Sequence, residues 1–381
     1  MKKIVKAAGL LFLTCGMLYL AATNGQSSRN GKGVFRLDAK SKIGRTKEKT
    51  VAAYLAEMSV EEKVGQLFFA RVPEESGLED IKSYHLGAYL LFDRDFKDRS
   101  LEDIKALTAS YQEVSAVPMI IASDEEGGSV TRISSILPKA FEVPMTLYQS
   151  GGLSAIADDT AAKAQLLKSV GITAGLFPVA DVATDKQAFI YDRTLGQDAS
   201  ATADYVAAVV KTLRQEQFAS TLKHFPGYGN NTDAHADLVY DQRSLKELES
   251  LDFLPFIAGI EEGADSVLMS HHIVSTVDAV PASLSSKMYA ILRNDLGFTG
   301  VTITDDMDMA GLNKFISQEE AAYQVILAGG DMIMSSEYAS QTAYLLERVK
   351  AGDLSEERID ESVKRILSWK YDLGLLKGQE K

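Results

Sequence analysis

The sequence has almost no cysteine. Cys15 is the single one among 381 residues, which excludes an internal disulfide framework and any zinc site built on thiolates. There is no His-x-x-x-His pair, and His271 and His272 are adjacent, so their side chains diverge; no metal site is expected. No stripe of Lys and Arg with interleaved aromatics is present. The formal net charge of −13 would repel a phosphate backbone, so nucleic acid is a poor partner. No repeat of fixed short period is visible, and no long Pro/Gly/Ser linker divides the chain, so one folded domain is the simpler expectation. Charged residues make up 24% and apolar residues 46%, ordinary values that argue against disorder over the whole length.

One strongly hydrophobic run stands near the N-terminus, from Ala7 to Ala22, and it contains Cys15. Lys2, Lys3 and Lys6 precede it and the polar segment Thr23 to Asn30 follows. Charged, apolar, then polar is the layout of an export signal. Ala21-Ala22 offers small residues to a signal peptidase. The run is about 16 residues, roughly 24 Å as a helix, short for a bilayer core of about 30 Å. A cleaved signal, a retained membrane anchor and a lipid-modified Cys15 all remain open, although Thr14 is an unusual neighbour for such a cysteine. The expected location is extracytoplasmic, secreted or anchored at the cell envelope. Residues 23–49 are polar and basic and read as a flexible tether, and residues 50–381 as the folded domain.

Within that domain, short apolar runs alternate with longer amphipathic stretches. The strand candidates are Gly65 to Ala70, Gly87 to Phe92, Met119 to Ser123 and Gly171 to Phe177, then Ser220 to His224, Ser266 to Ser270, Val301 to Thr304 and Met332 to Ser335. Leu101 to Val114, Ala201 to Gln215 and Leu245 to Glu262 read as helices between them. Apolar runs this short, without alternation, suit strands buried on both faces. Eight of them with helical crossovers predict an α/β fold, a (β/α)₈ TIM-like barrel, over a doubly wound open sheet.

The chemistry-bearing residues fall just after the predicted strands. Asp124 and Arg132 follow the third, Asp181 and Arg193 the fourth; Lys223 and His224 end the fifth; His271 follows the sixth and Asp305 the seventh. In a barrel the strand C-termini share one face, where active sites are built. Asp305 and Asp306 permit two roles, one carboxylate capping the next segment and the other facing a pocket. In Asp233-x-His235 a carboxylate sits close enough to orient an imidazole as a proton shuttle. Asp124 to Arg132 combines acids, the pair Gly127-Gly128 and a returning arginine. It lacks the Gly-Lys-Ser/Thr ending of a phosphate loop, and its carboxylates beside cations suit sugar hydroxyls instead.

These residues resemble glycoside hydrolase family 3, in its bacterial β-N-acetylglucosaminidase branch, from about Leu55 to Leu376. Asp124 to Arg132 resembles the branch's Asp-x-Glu-Gly-Gly-x-Val-x-Arg, and Ile190 to Gly196 its Ile-Gly-x-Arg-Ser-Phe-Gly. Lys223 to His235 resembles Lys-His-Phe-Pro-Gly-His-Gly followed by Asp-Ser-His, and Thr304 to Met307 resembles Ser-Asp-Asp-Leu. Arg358 to Leu376 looks like the usual final barrel helix. The resemblance implies Asp305 as nucleophile and His235 as acid/base, oriented by Asp233. It implies that Asp124, Arg132, Arg193, Lys223 and His224 hold the terminal sugar, with His271 nearby. It implies retaining hydrolysis of β-linked N-acetylglucosamine through a covalent glycosyl-enzyme, with no metal or organic cofactor. A glycan from the cell wall or a chitin-like polymer is the expected substrate, and a monomer the expected state. Larger family members continue into a second α/β domain, from which β-glucosidases draw their acid/base Glu, so the resemblance favours the other branch.

Three positions depart from the pattern. Tyr228 stands where the family has His, Ala234 where it has Ser, and the Asn-Pro usually before the Arg193 segment is missing. Asp233, His235 and Asp305 are all kept, so activity is expected, with a pocket altered around Arg193 and Tyr228. Two rivals stay open: a related exo-glycosidase for another sugar, and a non-catalytic protein that binds wall glycans.

Overall fold

The computed structural model describes residues 32–232 and 237–376, with the side chains of 32–43 left out. Thr46 onward forms one compact unit, separate from the residues before it. A helix, Lys32–Glu57, occupies the latter part of the stretch that reads in sequence as a polar tether. Its Lys, Arg, Ala and Glu residues are good helix formers even where few are apolar. The hydrophobic run 7–22 lies outside the described residues; among those described, no helix is long and apolar enough to cross a membrane.

Eight parallel strands carry the domain: β1 (Phe68–Arg71), β2 (Ala88–Leu91), β3 (Ile120–Ser123), β4 (Ala174–Gly175), β5 (Thr221–Phe225), β6 (Ser266–Met269), β7 (Val301–Thr304) and β8 (Ile333–Ser335). Each pairs with the next, as in Phe69 opposite Ala88 and Val267 opposite Thr302. β1 pairs with β8, Phe68 opposite Ile333. Bridges at Ala174–Ala219 and Val179–Lys223 join β4 to β5, and a bridge at Ile303–Met332 joins β7 to β8. The ring is closed, and the expected barrel is the one observed. Every residue of β2, β3, β6 and β7 is buried, because inner side chains fill the barrel while outer ones meet the helices.

The helices follow local signals. Leu101–Val114 starts at a reciprocal cap, in which the Asp103 amide donates to Ser100 Oγ (3.2 Å) and the Ser100 amide to Asp103 Oδ2 (2.9 Å). Ile104, Thr108 and Tyr111 then face the core at helical spacing. The stretch Leu245 to Glu262, expected as one helix, is two: Leu245–Ser250 and Phe253–Glu261. Asp252 turns inward at the break to meet Arg243 Nη1 at 2.7 Å. That pair joins residues nine apart, a contact no periodicity signals.

Candidate active site

At the C-terminal mouth of the barrel lies a cavity of about 510 Å³. Asp124, Arg132, Arg193, Lys223, His224 and Asp305 all line it. Asp233 and His235 lie outside the described residues.

Each of the three acids that begin the β3 loop faces a different way. Asp124 takes Lys223 Nζ at 2.7 Å and stands 3.5 Å from Arg132 Nη2. Glu125 turns under the loop, where its carboxylate accepts from the Arg132 amide at 2.9 Å and Ser134 Oγ at 2.5 Å. Burial pushes the Glu125 carboxyl up, against those hydrogen bonds. Glu126 lies beneath Lys223, which pairs with it. It also accepts both prongs of Arg193, from Nε at 2.9 Å and Nη2 at 2.8 Å. Burial alone would raise the Glu126 carboxyl; Lys223 and Arg193 together outweigh it and hold it well below the usual range. The turn after these acids needs Gly127, which has φ of 100° and whose added Cβ would sit 2.1 Å from the Glu142 carbonyl oxygen.

Lys223 and His224 lie in the second half of β5, just before Phe225, and both are buried. His224 Nδ1 faces Asp181 Oδ2 at 2.7 Å, and its Nε2 faces Arg193 Nη2 at 3.3 Å. Tyr228, where the family has His, is buried with its ring edge-on to His224 at 5.3 Å. Its amide donates to Asp181 Oδ1 at 2.7 Å. The following loop is tied at both ends by Arg243. The guanidinium meets Asp241 Oδ2 at 2.6 Å, Asp252 Oδ2 at 2.7 Å and the Gly227 carbonyl at 2.9 Å.

Asp305 follows β7. Its amide donates to the Met269 carbonyl of β6 at 2.7 Å, and its Oδ1 accepts from the Asp306 amide at 2.9 Å. These two bonds fix the carboxylate on the cavity wall. Asp306 also lines the cavity, its Oδ1 accepting from the Asp308 amide at 2.9 Å and its carboxylate pairing with Arg71 of β1. The helix that follows, Ala310–Phe315, starts at Met309 with no side-chain cap, so neither aspartate caps it. Burial pushes the Asp306 carboxyl up to about 6 despite Arg71. His271 stands behind this turn, not on the cavity wall. Its Nδ1 meets Ser283 Oγ at 2.7 Å and its Nε2 the Asp306 carbonyl at 3.1 Å. A residue expected near the sugar thus braces the turn that carries Asp305.

Sequence reasoning missed Glu126, Arg71 and Phe92 as site residues. Arg71 and Phe92 fall at the ends of β1 and β2, the same register that exposed the others, and both line the cavity. The guanidinium carbons of Arg71 and Arg132 lie 4.5 and 5.3 Å from the Phe92 ring centre. Among the described residues, no group of three or more His, Cys, Asp or Glu is placed to hold a metal. The arrangement presents the Asp305 carboxylate at a strand end among further carboxylates and cations that can accept from and donate to hydroxyls.

A family model described as the glycosyl hydrolase family 3 N-terminal domain matches residues 59–369. A β-hexosaminidase of Xanthomonas oryzae pv. oryzae is 35% identical over 228 residues, 58% of this chain and 67% of that one. A β-N-acetylglucosaminidase/β-glucosidase of Cellulomonas fimi is 28% identical over 349 residues, 86% of this chain and 60% of that one. The solved structure of a glycoside hydrolase family 3 β-N-acetylglucosaminidase from Paenibacillus sp. superposes with a TM-score of 0.78 at 29% identity. It matches over 84% of this chain and 63% of that one.

Proposed function

The chain belongs to glycosyl hydrolase family 3 and is a glycoside hydrolase, and from that premise we propose that it is a retaining, exo-acting β-N-acetylglucosaminidase with Asp305 as its nucleophile. The observation that carries the reading is the placement of Asp305, locked by the Asp306 amide at 2.9 Å on the wall of the cavity that also displays Asp124, Arg132, Arg193 and Lys223. A terminal sugar fits this rim: Asp124 accepts from its hydroxyls while the three cations donate to them. Asp305 attacks the anomeric carbon as His235, oriented by Asp233, protonates the departing oxygen. Water then displaces Asp305 with His235 as base, and the sugar leaves with its configuration retained. Most retaining enzymes use two carboxyl groups; here a His–Asp pair serves as the second. The motif Asp233-x-His235 and the relatives that cleave hexosaminides support this choice of sugar and acid/base. The layout of residues 1–30 supports export, and with it a glycan of the cell envelope as substrate.

A panel of 4-nitrophenyl β-glycosides tests the sugar. The N-acetylglucosaminide is turned over at least about tenfold faster than the glucoside, a discrimination of roughly 1.4 kcal/mol, and proton NMR shows the β-anomer of the product first. Preference for the glucoside would assign another specificity within the family. Sugar binding without turnover would make the protein a glycan binder.

A further inference from the structure

We propose that Asp181 is a positioning residue for this site: it holds His224 in the one neutral tautomer that lets the imidazole brace Arg193. Asp181 follows β4 and is 0% exposed, so it touches no ligand itself. Its two carboxylate oxygens collect N–H groups of β5 and of the loop that follows it. Oδ2 accepts from the His224 amide at 3.1 Å and faces His224 Nδ1 at 2.7 Å, while Oδ1 accepts from the Tyr228 amide at 2.7 Å. A carboxylate only accepts, so Nδ1 carries a hydrogen.

The other ring nitrogen meets the opposite demand. His224 Nε2 lies 3.3 Å from Arg193 Nη2, and a guanidinium only donates. Nε2 therefore presents a lone pair. A doubly protonated ring would set an N–H against the guanidinium, and the other tautomer would set a lone pair against Asp181. Both neighbours select the same form.

Arg193 reaches Glu126 through Nε and through the same Nη2, whose two N–H groups serve Glu126 and His224. Glu126 in turn pairs with Lys223, which holds Asp124 at 2.7 Å. The buried acid thus stands at one end of a chain of contacts whose other end is the cavity wall. Tyr228 closes the chain at Asp181, its ring edge-on to the imidazole at an interplanar angle of 87°. An asparagine at residue 181 cannot serve every donor. With its oxygen toward His224, its NH₂ meets the Tyr228 amide; reversed, its NH₂ meets the His224 amide and forces the wrong tautomer.

Two readouts test this. The first is the ¹⁵N spectrum of imidazole-labelled wild type near neutral pH, with the His224 signals found by comparison with His224→Gln. Nδ1 protonated and Nε2 unprotonated is expected; Nε2 protonated overturns the proposal, whatever the enzyme's activity and whether or not any Asp181 variant folds. The second is kinetic and rests on the proposed function, because it needs Arg193 at the sugar. Asp181→Asn lowers kcat/KM on the N-acetylglucosaminide by roughly 10- to 100-fold, the scale of a small misplacement of a binding group. In an Arg193→Ala background the same change costs less than about twofold, since the two act as one unit. Losses that multiply in the double variant would place Asp181 outside this chain and refute the idea. A wild type inert on every glycoside would fail the proposed function and leave the tautomer result standing on its own.

Discussion

Glu126 shows how a single buried carboxylate sets the charge of the whole rim. Its partners Lys223 and Arg193 are both withdrawn from water, with side-chain exposures of 3% and 16%. Removing one member of such a cluster leaves uncompensated charge, at a cost of about 3–5 kcal/mol. Glu126→Gln is therefore expected to lower the melting temperature by several degrees and to cut kcat/KM, read by calorimetry and a glycoside assay. Unchanged stability would mean that the cations are satisfied from elsewhere. Single residues were unequally legible. Asp305 was readable from its strand end, but the division of roles with Asp306 was not: both carboxylates line the cavity and neither caps the next helix. Glu126 was hidden, because three consecutive acids look alike in sequence. Only the turn at Gly127 decides which points to the cavity, which beneath the cations and which under the loop. His271 had the right register, yet its imidazole reaches Ser283 and a backbone carbonyl.

The eight barrel strands were legible as elements, while the short parallel pair Tyr240–Asp241 and Ile273–Val274 was not. Short apolar runs have few ways to be buried on both faces, and a closed parallel ring is one of them. The connections were less so. The break at Leu251–Asp252 and the anchoring of the loop after β5 both depend on Arg243, a residue with no motif of its own. Asp241 and Asp252 are 1% exposed, and Arg243 is the cation that meets both. Arg243→Ala is expected to destabilise the fold by about 3–5 kcal/mol and to lower kcat, since the tied loop spans residues 227–241 and so contains Asp233 and His235. Arg243→Lys keeps the charge without the fork and recovers only part of either loss. Thermal melts beside steady-state kinetics check this; full activity in Arg243→Ala would show that the loop is held by other contacts.

Across the whole molecule, buried acids set the response to pH. Burial raises the carboxyls of Asp252, Asp265 and Asp306, each to about 6. Each binds its proton more tightly folded than unfolded. Its contribution to stability is therefore complete below about pH 4 and lost as the pH rises through about 6. Glu126 acts oppositely, its contribution present above the ordinary carboxylate range and lost only in strong acid. Asp265 is remote from the cavity and accepts from the Ser220 amide at 2.9 Å, a bond that an asparagine oxygen can keep. Asp265→Asn is expected to flatten the fall in melting temperature between pH 4.5 and 7. An unaltered slope would assign that fall to other groups.

The family was legible for a different reason. Its motifs mark strand ends that must converge, so their order and spacing already describe one site. The central claim is that Asp305 forms a covalent bond to the sugar. Its most direct test is intact-protein and peptide mass spectrometry after exposure to a 5-fluoro derivative of N-acetylglucosaminyl fluoride, which forms the glycosyl-enzyme quickly and releases it slowly. One sugar on the peptide containing Asp305, and none on Asp305→Ala, is the result expected. A sugar on another residue, or turnover undiminished in Asp305→Ala, would contradict the assignment.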